Sequence, residues 1–224
     1  MIKNLTKFEK ILWCVSVLAI ALPFLIFKNG DILTLAASLI GVTALIFIAK
    51  GNVMGQILTI IFSILYSVIS YRFRYFGEMI TYAGMTLPSA AAAAVTWIKN
   101  PYKKNEVRVN KLGKIHFAAL PLTAIITTAV FYFILKYFNT ANLILSTISV
   151  TTSFTACYLL IFRSNLYALA YAANDLVLIA LWILASITDI SYLPMVMCFV
   201  MFFANDLYGF YNWQKMKKRQ ICGE

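Results

Sequence analysis

Eight stretches of the chain, at about 11–27, 32–49, 53–71, 76–98, 115–137, 142–162, 165–187 and 191–213, are apolar enough to cross a bilayer. A helix needs about 20 apolar residues to span roughly 30 Å of hydrocarbon. A chain in hydrocarbon must pair its own backbone groups, which leaves helices or a closed barrel. The alternating apolar and polar segments of a barrel are absent. Several stretches are separated by only two to four residues, so tight antiparallel helical hairpins are expected. With 62% hydrophobic and 12% charged residues, the chain cannot cover a water-facing surface. That excludes a soluble globular domain, a disordered chain and a disulfide scaffold. Lys3, Lys7 and Lys10 precede the first run as in a signal peptide, but the apolar run continues past Ala19-Ile20-Ala21 through Pro23 and Phe24. An uncleaved first helix is expected.

The net charge is +11, yet the basic residues sit in short clusters between apolar blocks, so nucleic acid is not an expected partner. Eight spans place fifteen Lys and Arg residues on one side, including Lys50, Lys99, Lys103, Lys104, Arg108, Lys111, Lys114, Arg163 and Lys215. They place four, Lys28, Arg72, Arg74 and Lys136, on the other. The positive-inside bias then puts both termini in the cytoplasm.

Ile48-Ala49-Lys50-Gly51-Asn52 overlays Ile161-Phe162-Arg163-Ser164-Asn165 at an offset of 113, and Trp97-Ile98-Lys99 overlays Trp213-Gln214-Lys215 at an offset of 116. A three-residue difference between them makes segments two to four repeat as segments six to eight. Repeats four spans apart enter the membrane in the same direction, related by an axis along its normal. The expected architecture is all-α and polytopic, with two parallel three-helix bundles (3+1+3) and an extra N-terminal helix. Its parts are an N-terminal helix (1–30), a first bundle (31–100), a basic loop and connector helix (101–140), a second bundle (141–216) and a basic cytoplasmic tail (217–224).

Polar side chains in lipid are costly and usually face a bundle interior or a water-filled path. Segment three carries Gln56, Thr59, Ser63, Tyr66, Ser67 and Ser70 at steps of three and four, on one helical face. Close helix packing or a pathway would each use such a face; Gln56 and Tyr66 are the candidate functional members. In segment seven Tyr167, Tyr171, Asn174, Leu178 and Trp182 share a face with Asp175 on its flank. Segment eight carries Phe202, Asn205, Asp206, Tyr208, Gly209, Asn212 and Trp213 at similar steps. Asp175 and Asp206 are the carboxylates well inside spans, and each needs a partner, water or a proton. Amides and carboxylates suit ribose hydroxyls and base edges, while Tyr and Trp suit stacking on a flat heteroaromatic ring. Gln56, Tyr66, Tyr171, Asn174, Asp175, Trp182, Asn205, Asp206 and Tyr208 are therefore the candidate substrate-binding residues. Trp97 and Trp213, near the cytoplasmic ends, read as an aromatic belt. Pro88 is expected to kink segment four and serve as a hinge. Cys14, Cys157, Cys198 and Cys222 form no metal-ligand spacing, so neither metal nor cofactor is expected. One His and no carboxylate pair in a polar loop do not suggest an enzyme.

Tyr75-Phe76-Gly77-Glu78-Met79, the Trp97-Ile98-Lys99-Asn100 exit and Asn205-Asp206-Leu207-Tyr208-Gly209-Phe210-Tyr211-Asn212-Trp213 resemble the PnuC family of nicotinamide riboside and related vitamin transporters, which have a SWEET-like fold. The resemblance runs from about residue 32 to 217. It implies facilitated diffusion of a nucleoside-like vitamin through a bacterial inner membrane, trapped by a cytosolic kinase that phosphorylates it. It also allows a homo-oligomer, such as the trimers found among SWEET-like proteins. Riboside-transporting members typically carry Trp-x-x-Trp early in the helix matching segment seven. Here Tyr167 with Ala170, or Ala168 with Tyr171, stands in those places. A deoxynucleoside, thiamin or riboflavin is therefore an alternative substrate, and proton coupling through Asp175 or Asp206 an alternative to uniport.

Overall fold

The computed structural model describes residues 5–26, 32–72, 76–103 and 105–223. Lys3, Lys28, Arg74, Tyr75 and Lys104, which entered the charge tally or the family resemblance, lie outside the described residues. Helix α1 (Lys7–Ile26) begins with a capping box. The Glu9 carboxylate accepts from the Thr6 amide at 2.6 Å, and the Glu9 amide donates to Thr6 Oγ1 at 3.2 Å. Then follow α2 (Ile32–Ala49), α3 (Val53–Arg72), α4 (Phe76–Thr81), a π-helical turn (Tyr82–Thr86) and α5 (Leu87–Lys99). A short hairpin, β1 (Pro101–Lys103) with β2 (Glu106–Val107), leads to α6 (Lys114–Tyr137), α7 (Leu143–Ile161), α8 (Tyr167–Thr188) and α9 (Leu193–Cys222).

Six of these helices, α2, α3, α6, α7, α8 and α9, are long and apolar enough to cross a membrane. Burial is inverted relative to a water-soluble protein. Ile11, Leu18, Ile64, Ile125, Phe133 and Leu176 are exposed, while Gln56, Ser63, Asn174, Asp175, Asn205 and Asp206 are buried. The chain is a multi-pass membrane protein.

The fourth expected span is not one regular helix. Pro88 has no N–H to continue an α-helix, and its ring crowds the preceding turn. The strain is taken up just upstream, where the Leu87 amide donates to the Tyr82 carbonyl five residues back. The sequence placed the irregularity correctly, but it takes the form of a π turn.

The helices pack as a closed ring: α2 on α3, α3 on α5, α5 on α7, α7 on α8, α8 on α9, and α9 back on α2. Outside the ring, α6 lies on α7 and α1 lies over the seam between α2 and α9. Two seams, α5/α7 and α9/α2, join the half containing α2–α5 to the half containing α7–α9.

Backbone hydrogen bonds correct the register of the repeat. The Gly51 and Asn52 amides donate to the Ile48 and Phe47 carbonyls; the Arg163 and Ser164 amides donate likewise to Leu160 and Leu159. Gly51 and Arg163 both have positive φ, 66° and 57°. Equivalent residues there are 112 apart, not 113, so Gly51 matches Arg163 and Lys50 matches Phe162. The basic side chains attracted the sequence alignment, but the backbone turn aligns one residue earlier. At the far end of each bundle the offset is 116 as expected, so the difference between the two is four residues.

The tryptophans also differ from expectation. Trp97 and Trp213 are 1% and 0% exposed and do not form a belt. The Trp97 indole donates to the Leu160 carbonyl at 3.2 Å, and the Trp213 indole to the Ile48 carbonyl at 2.9 Å. One residue earlier, Thr96 Oγ1 donates to the Ile161 carbonyl at 3.0 Å and Asn212 Nδ2 to the Ala49 carbonyl at 2.8 Å. All four carbonyls belong to the last turns of α7 and α2; those of Ile48 and Leu160 also accept from the turn amides of Gly51 and Arg163, so the side-chain donors are second partners there. All four bonds cross a seam between halves. The basic loop adds two more, from the Val107 amide to the Gly51 carbonyl and from the Asn110 amide to the Arg163 carbonyl.

Gly51→Ala is expected to destabilise the protein by more than about 1 kcal/mol, since alanine at positive φ is strained. Its Cβ would also sit 2.7 Å from Met216 Cε and 3.2 Å from Val107 Cγ1. A lowered midpoint in detergent thermal unfolding checks this.

Candidate functional site

The ring of helices encloses a cavity with about 150 Å³ of free space. One side of its wall comes from α2, α3, α4 and the π turn: Gly41 and Ala44, Thr59 and Phe62, Glu78 and Thr81, then Tyr82 and Thr86. The other side comes from α7, α8 and α9: Ser149 and Ser153, Tyr167, Tyr171, Asn174, Asp175 and Leu178, then Phe199, Phe202 and Asp206. Gly41 keeps α2 close to α9 here, because a Cβ would stand 2.9 Å from Phe202 Cζ.

Sequence periodicity on α8 carries over. Tyr167, Tyr171, Asn174 and Leu178 line the cavity together with Asp175. Asn174 is oriented from behind: Ser149 Oγ and Thr152 Oγ1 donate to its Oδ1 at 3.1 and 2.8 Å. With that oxygen engaged, its amide N–H groups are the ones left for a bound solute. The Tyr171 hydroxyl lies 3.3 Å from Cys157 Sγ. The carboxyl groups of Asp175 and Asp206, on adjacent helices, come within hydrogen-bonding reach of each other. A hydrogen bond between carboxyls needs a proton on one of them.

The other expected site residues fall elsewhere. On α9 the step from Asn205 to Asp206 turns the side chain by about 100°. Asp206 and Phe202 line the cavity, whereas Asn205 and Tyr208 turn to α1. Asn205 Nδ2 donates to Ser16 Oγ at 2.9 Å and to the Met201 carbonyl at 2.7 Å. The Tyr208 hydroxyl donates to Glu9 Oε1 at 2.7 Å, and the same carboxylate holds Lys50 Nζ at 2.9 Å. Trp182 stacks on Phe199 at 6.4 Å between ring centres and packs against Tyr192, at one edge of the hydrophobic core. Tyr66 is behind the wall, its hydroxyl donating to Glu78 Oε2 at 3.1 Å, and so acts on the cavity through Glu78. Gln56 is fully buried outside the cavity lining, and neither its amide nitrogen nor its oxygen has a partner among the described residues.

Residues that the sequence did not single out complete the wall. Tyr82 stands beside Tyr66 at 4.4 Å and edge-on to Phe62 at 5.7 Å, and it lies near both Glu78 and Asp175. Its position depends on the π turn, which no α-helical periodicity reports. Ser149 and Ser153 belonged to a hydroxyl-rich run in α7 that could have signalled a polar face. Towards the 48/160 end, the aromatics close ranks: Tyr171 meets Tyr167, Tyr167 meets Trp213, and Trp213 meets Trp97 at 6.2, 4.7 and 5.4 Å. Towards the other end, the cavity adjoins a second hollow of about 340 Å³, which shares Gly77, Glu78, Thr140, Ser146 and Leu181 with it.

Two asparagines therefore make opposite predictions. Asn174→Leu is expected to abolish solute binding, read as loss of the ligand-induced thermal shift, while the loss of the Ser149 and Thr152 bonds lowers the unliganded midpoint by the equivalent of about 1–2 kcal/mol. Asn205→Leu removes two hydrogen bonds to α1 and α9 and should lower the unliganded midpoint by the equivalent of about 1–2 kcal/mol. It should leave the ligand-induced shift in place.

Comparisons with known proteins bear on the family and the fold. Residues 31–215 match the family described as nicotinamide mononucleotide transporter. A nicotinamide riboside transporter PnuC of Neisseria mucosa is 25% identical over 220 residues, 96% of this chain and 83% of that protein. The nicotinamide riboside transporter PnuC of Haemophilus influenzae is 23% identical over 190 residues, 84% of this chain and 81% of that one. A crystal structure of the vitamin B3 transporter PnuC matches with a TM-score of 0.82 at 24% identity, covering 97% of this chain and 94% of the other.

Proposed function

Because the chain belongs to the nicotinamide mononucleotide transporter family, we propose that it is an inner-membrane facilitator that imports a nicotinamide-type riboside. The observation that carries this reading is the cavity between the two halves, where aromatic faces meet a few convergent polar groups. Tyr171, Tyr167 and Tyr82 would stack on the base. Asn174, Asp175 and Asp206 would hold the ribose hydroxyls or the edge of the base. The named substrate of the relatives from Neisseria mucosa and Haemophilus influenzae, nicotinamide riboside, fits those groups.

The chain crosses the membrane eight times in this reading, with α1 and the interrupted α4–α5 segment as spans and both termini in the cytoplasm. The basic 99–114 loop then marks the cytoplasmic end, which the tryptophan and Asn212 bonds close, while the hollow beside Glu78 opens outward. Uptake proceeds by rocking of α2–α5 against α7–α9, the π turn giving α4 freedom to move relative to α5. The solute moves down its own gradient, and a cytosolic kinase withdraws it by phosphorylation. One tyrosine and one alanine stand where riboside-transporting members carry Trp-x-x-Trp, and that loss of the tryptophan frame favours a second substrate reading, a deoxynucleoside.

The test is uptake into liposomes holding the purified protein, without any ion gradient, across nicotinamide riboside, thymidine, deoxyadenosine, thiamin and riboflavin. Saturable nicotinamide riboside uptake that an ionophore leaves unchanged is expected. Uptake of thymidine or deoxyadenosine alone would replace the riboside reading with the second one, and dependence on a proton gradient would overturn uniport.

A further inference from the structure

We propose that the turn between α7 and α8 is a binding site for a phosphate group, with Arg163 as its main donor and Arg108 and Lys217 beside it. The site is separate from the cavity between the two halves and goes beyond the transport reading.

The turn does not need an arginine in order to form. Its twin after α2 makes the same backbone bonds with Gly51 in the matching place. At a φ of 57° a side chain is strained where glycine is not. The guanidinium carried there is left with donors unused. Nε and Nη1 of Arg163 are buried, and no acceptor of the described residues reaches either of them. A buried guanidinium N–H without an acceptor has lost its hydration with nothing in exchange.

The described carboxylates are engaged elsewhere. Glu9 holds Lys50 and Glu106 holds Arg219. Glu78, Asp175 and Asp206 line the cavity, and Asp189 follows α8 at its far end. What gathers around Arg163 is further positive charge. The basic loop is fastened along the turn: the Asn110 amide donates to the Arg163 carbonyl at 3.0 Å, and Asn110 bridges to Ser164. That brings Arg108, two residues upstream, alongside. Burial first, and then the like charge of Arg108, works against the Arg163 cation. From α9, Lys217 Nζ donates to Asn165 Oδ1 at 3.1 Å, two residues beyond Arg163. Loop, turn and α9 thus each direct a cation to one place.

A phosphate group suits this arrangement better than a carboxylate or chloride. It carries up to two negative charges and several acceptor oxygens, so it can accept from the guanidinium and still offset the two neighbouring cations. An anionic lipid headgroup and a free phosphate ester offer the same chemistry, and the turn lies beside the basic loop, just outside the apolar spans.

The test places the full chain in nanodiscs of phosphatidylcholine and titrates inorganic phosphate, with chloride at equal ionic strength as the reference. The expected result is a rise in thermal midpoint that phosphate gives and chloride does not. Arg163→Asn should weaken the apparent affinity at least about tenfold. Asparagine tolerates a positive φ, so the turn is retained. Lys217→Gln leaves the turn backbone untouched and should weaken it about threefold. A second set of nanodiscs contains phosphatidylglycerol. If the headgroup fills the site, the wild-type midpoint is already raised in them and phosphate adds nothing further. If a free phosphate ester fills it, phosphate raises the midpoint equally in both sets. A wild type that responds to neither phosphate nor phosphatidylglycerol would overturn the proposal. So would responses of unchanged strength in both Arg163→Asn and Lys217→Gln.

Discussion

The last carbonyls of a helix that ends near a membrane have no partner within that helix, and lipid offers none. In this protein α2 and α7 both end at a turn whose amides, from Gly51 and Arg163, reach the Ile48 and Leu160 carbonyls, and side-chain donors from across the ring serve those two and the Ala49 and Ile161 carbonyls beside them. Trp213 and Asn212 serve Ile48 and Ala49; Trp97 and Thr96 serve Leu160 and Ile161. Each donor comes from the other half of the molecule. The same bonds tie the two seams of the ring together beside the aromatic contacts that run from Trp97 to Tyr171.

The same bonds give the closed end a physical measure. A buried hydrogen bond contributes about 1 kcal/mol net, but a buried carbonyl left without its donor costs about 1–3 kcal/mol. Without the cross-seam donors the Ala49 and Ile161 carbonyls would need water, whereas those of Ile48 and Leu160 would keep the turn amides of Gly51 and Arg163. The opposite end has no comparable set of cross-seam bonds among the described residues, and there the wall is made of Glu78, Thr140 and Ser146 around a larger hollow.

Much of this was legible in the sequence, for particular reasons. Span boundaries follow from hydrophobic length alone, and α2 and α3 begin where expected. The face of α8 was legible because a regular helix keeps its period from Tyr167 to Leu178. On α9 the period was equally clear, but it could not say which of two neighbouring polar stripes faced the cavity. Asn205 and Tyr208 turned out to serve α1, whose Ser16 and Glu9 gave no signal on their own. The position of Trp97 and Trp213 near helix ends points to the lipid boundary, a good guide for a lone tryptophan. A tryptophan with a helix-end carbonyl of another helix within reach has a stronger claim on the interior. Tyr82 was invisible because a five-residue turn re-aims it, and the repeat register slipped by one because charge, not backbone geometry, guided the overlay.

The one-residue correction of the repeat has a consequence for how a solute would sit. At an offset of 112, Asn174 and Asp175 correspond to Phe62 and Ser63; at 116, Asp206 corresponds to Ala90. At these matching positions the twin scaffolds carry unlike side chains, an amide and two carboxyls in one half against a ring, a hydroxyl and a methyl in the other. In the transport reading proposed above, a solute lodged between them would meet a different neighbour on each side, so its two ends would not be interchangeable, like a key that fits a lock only one way up.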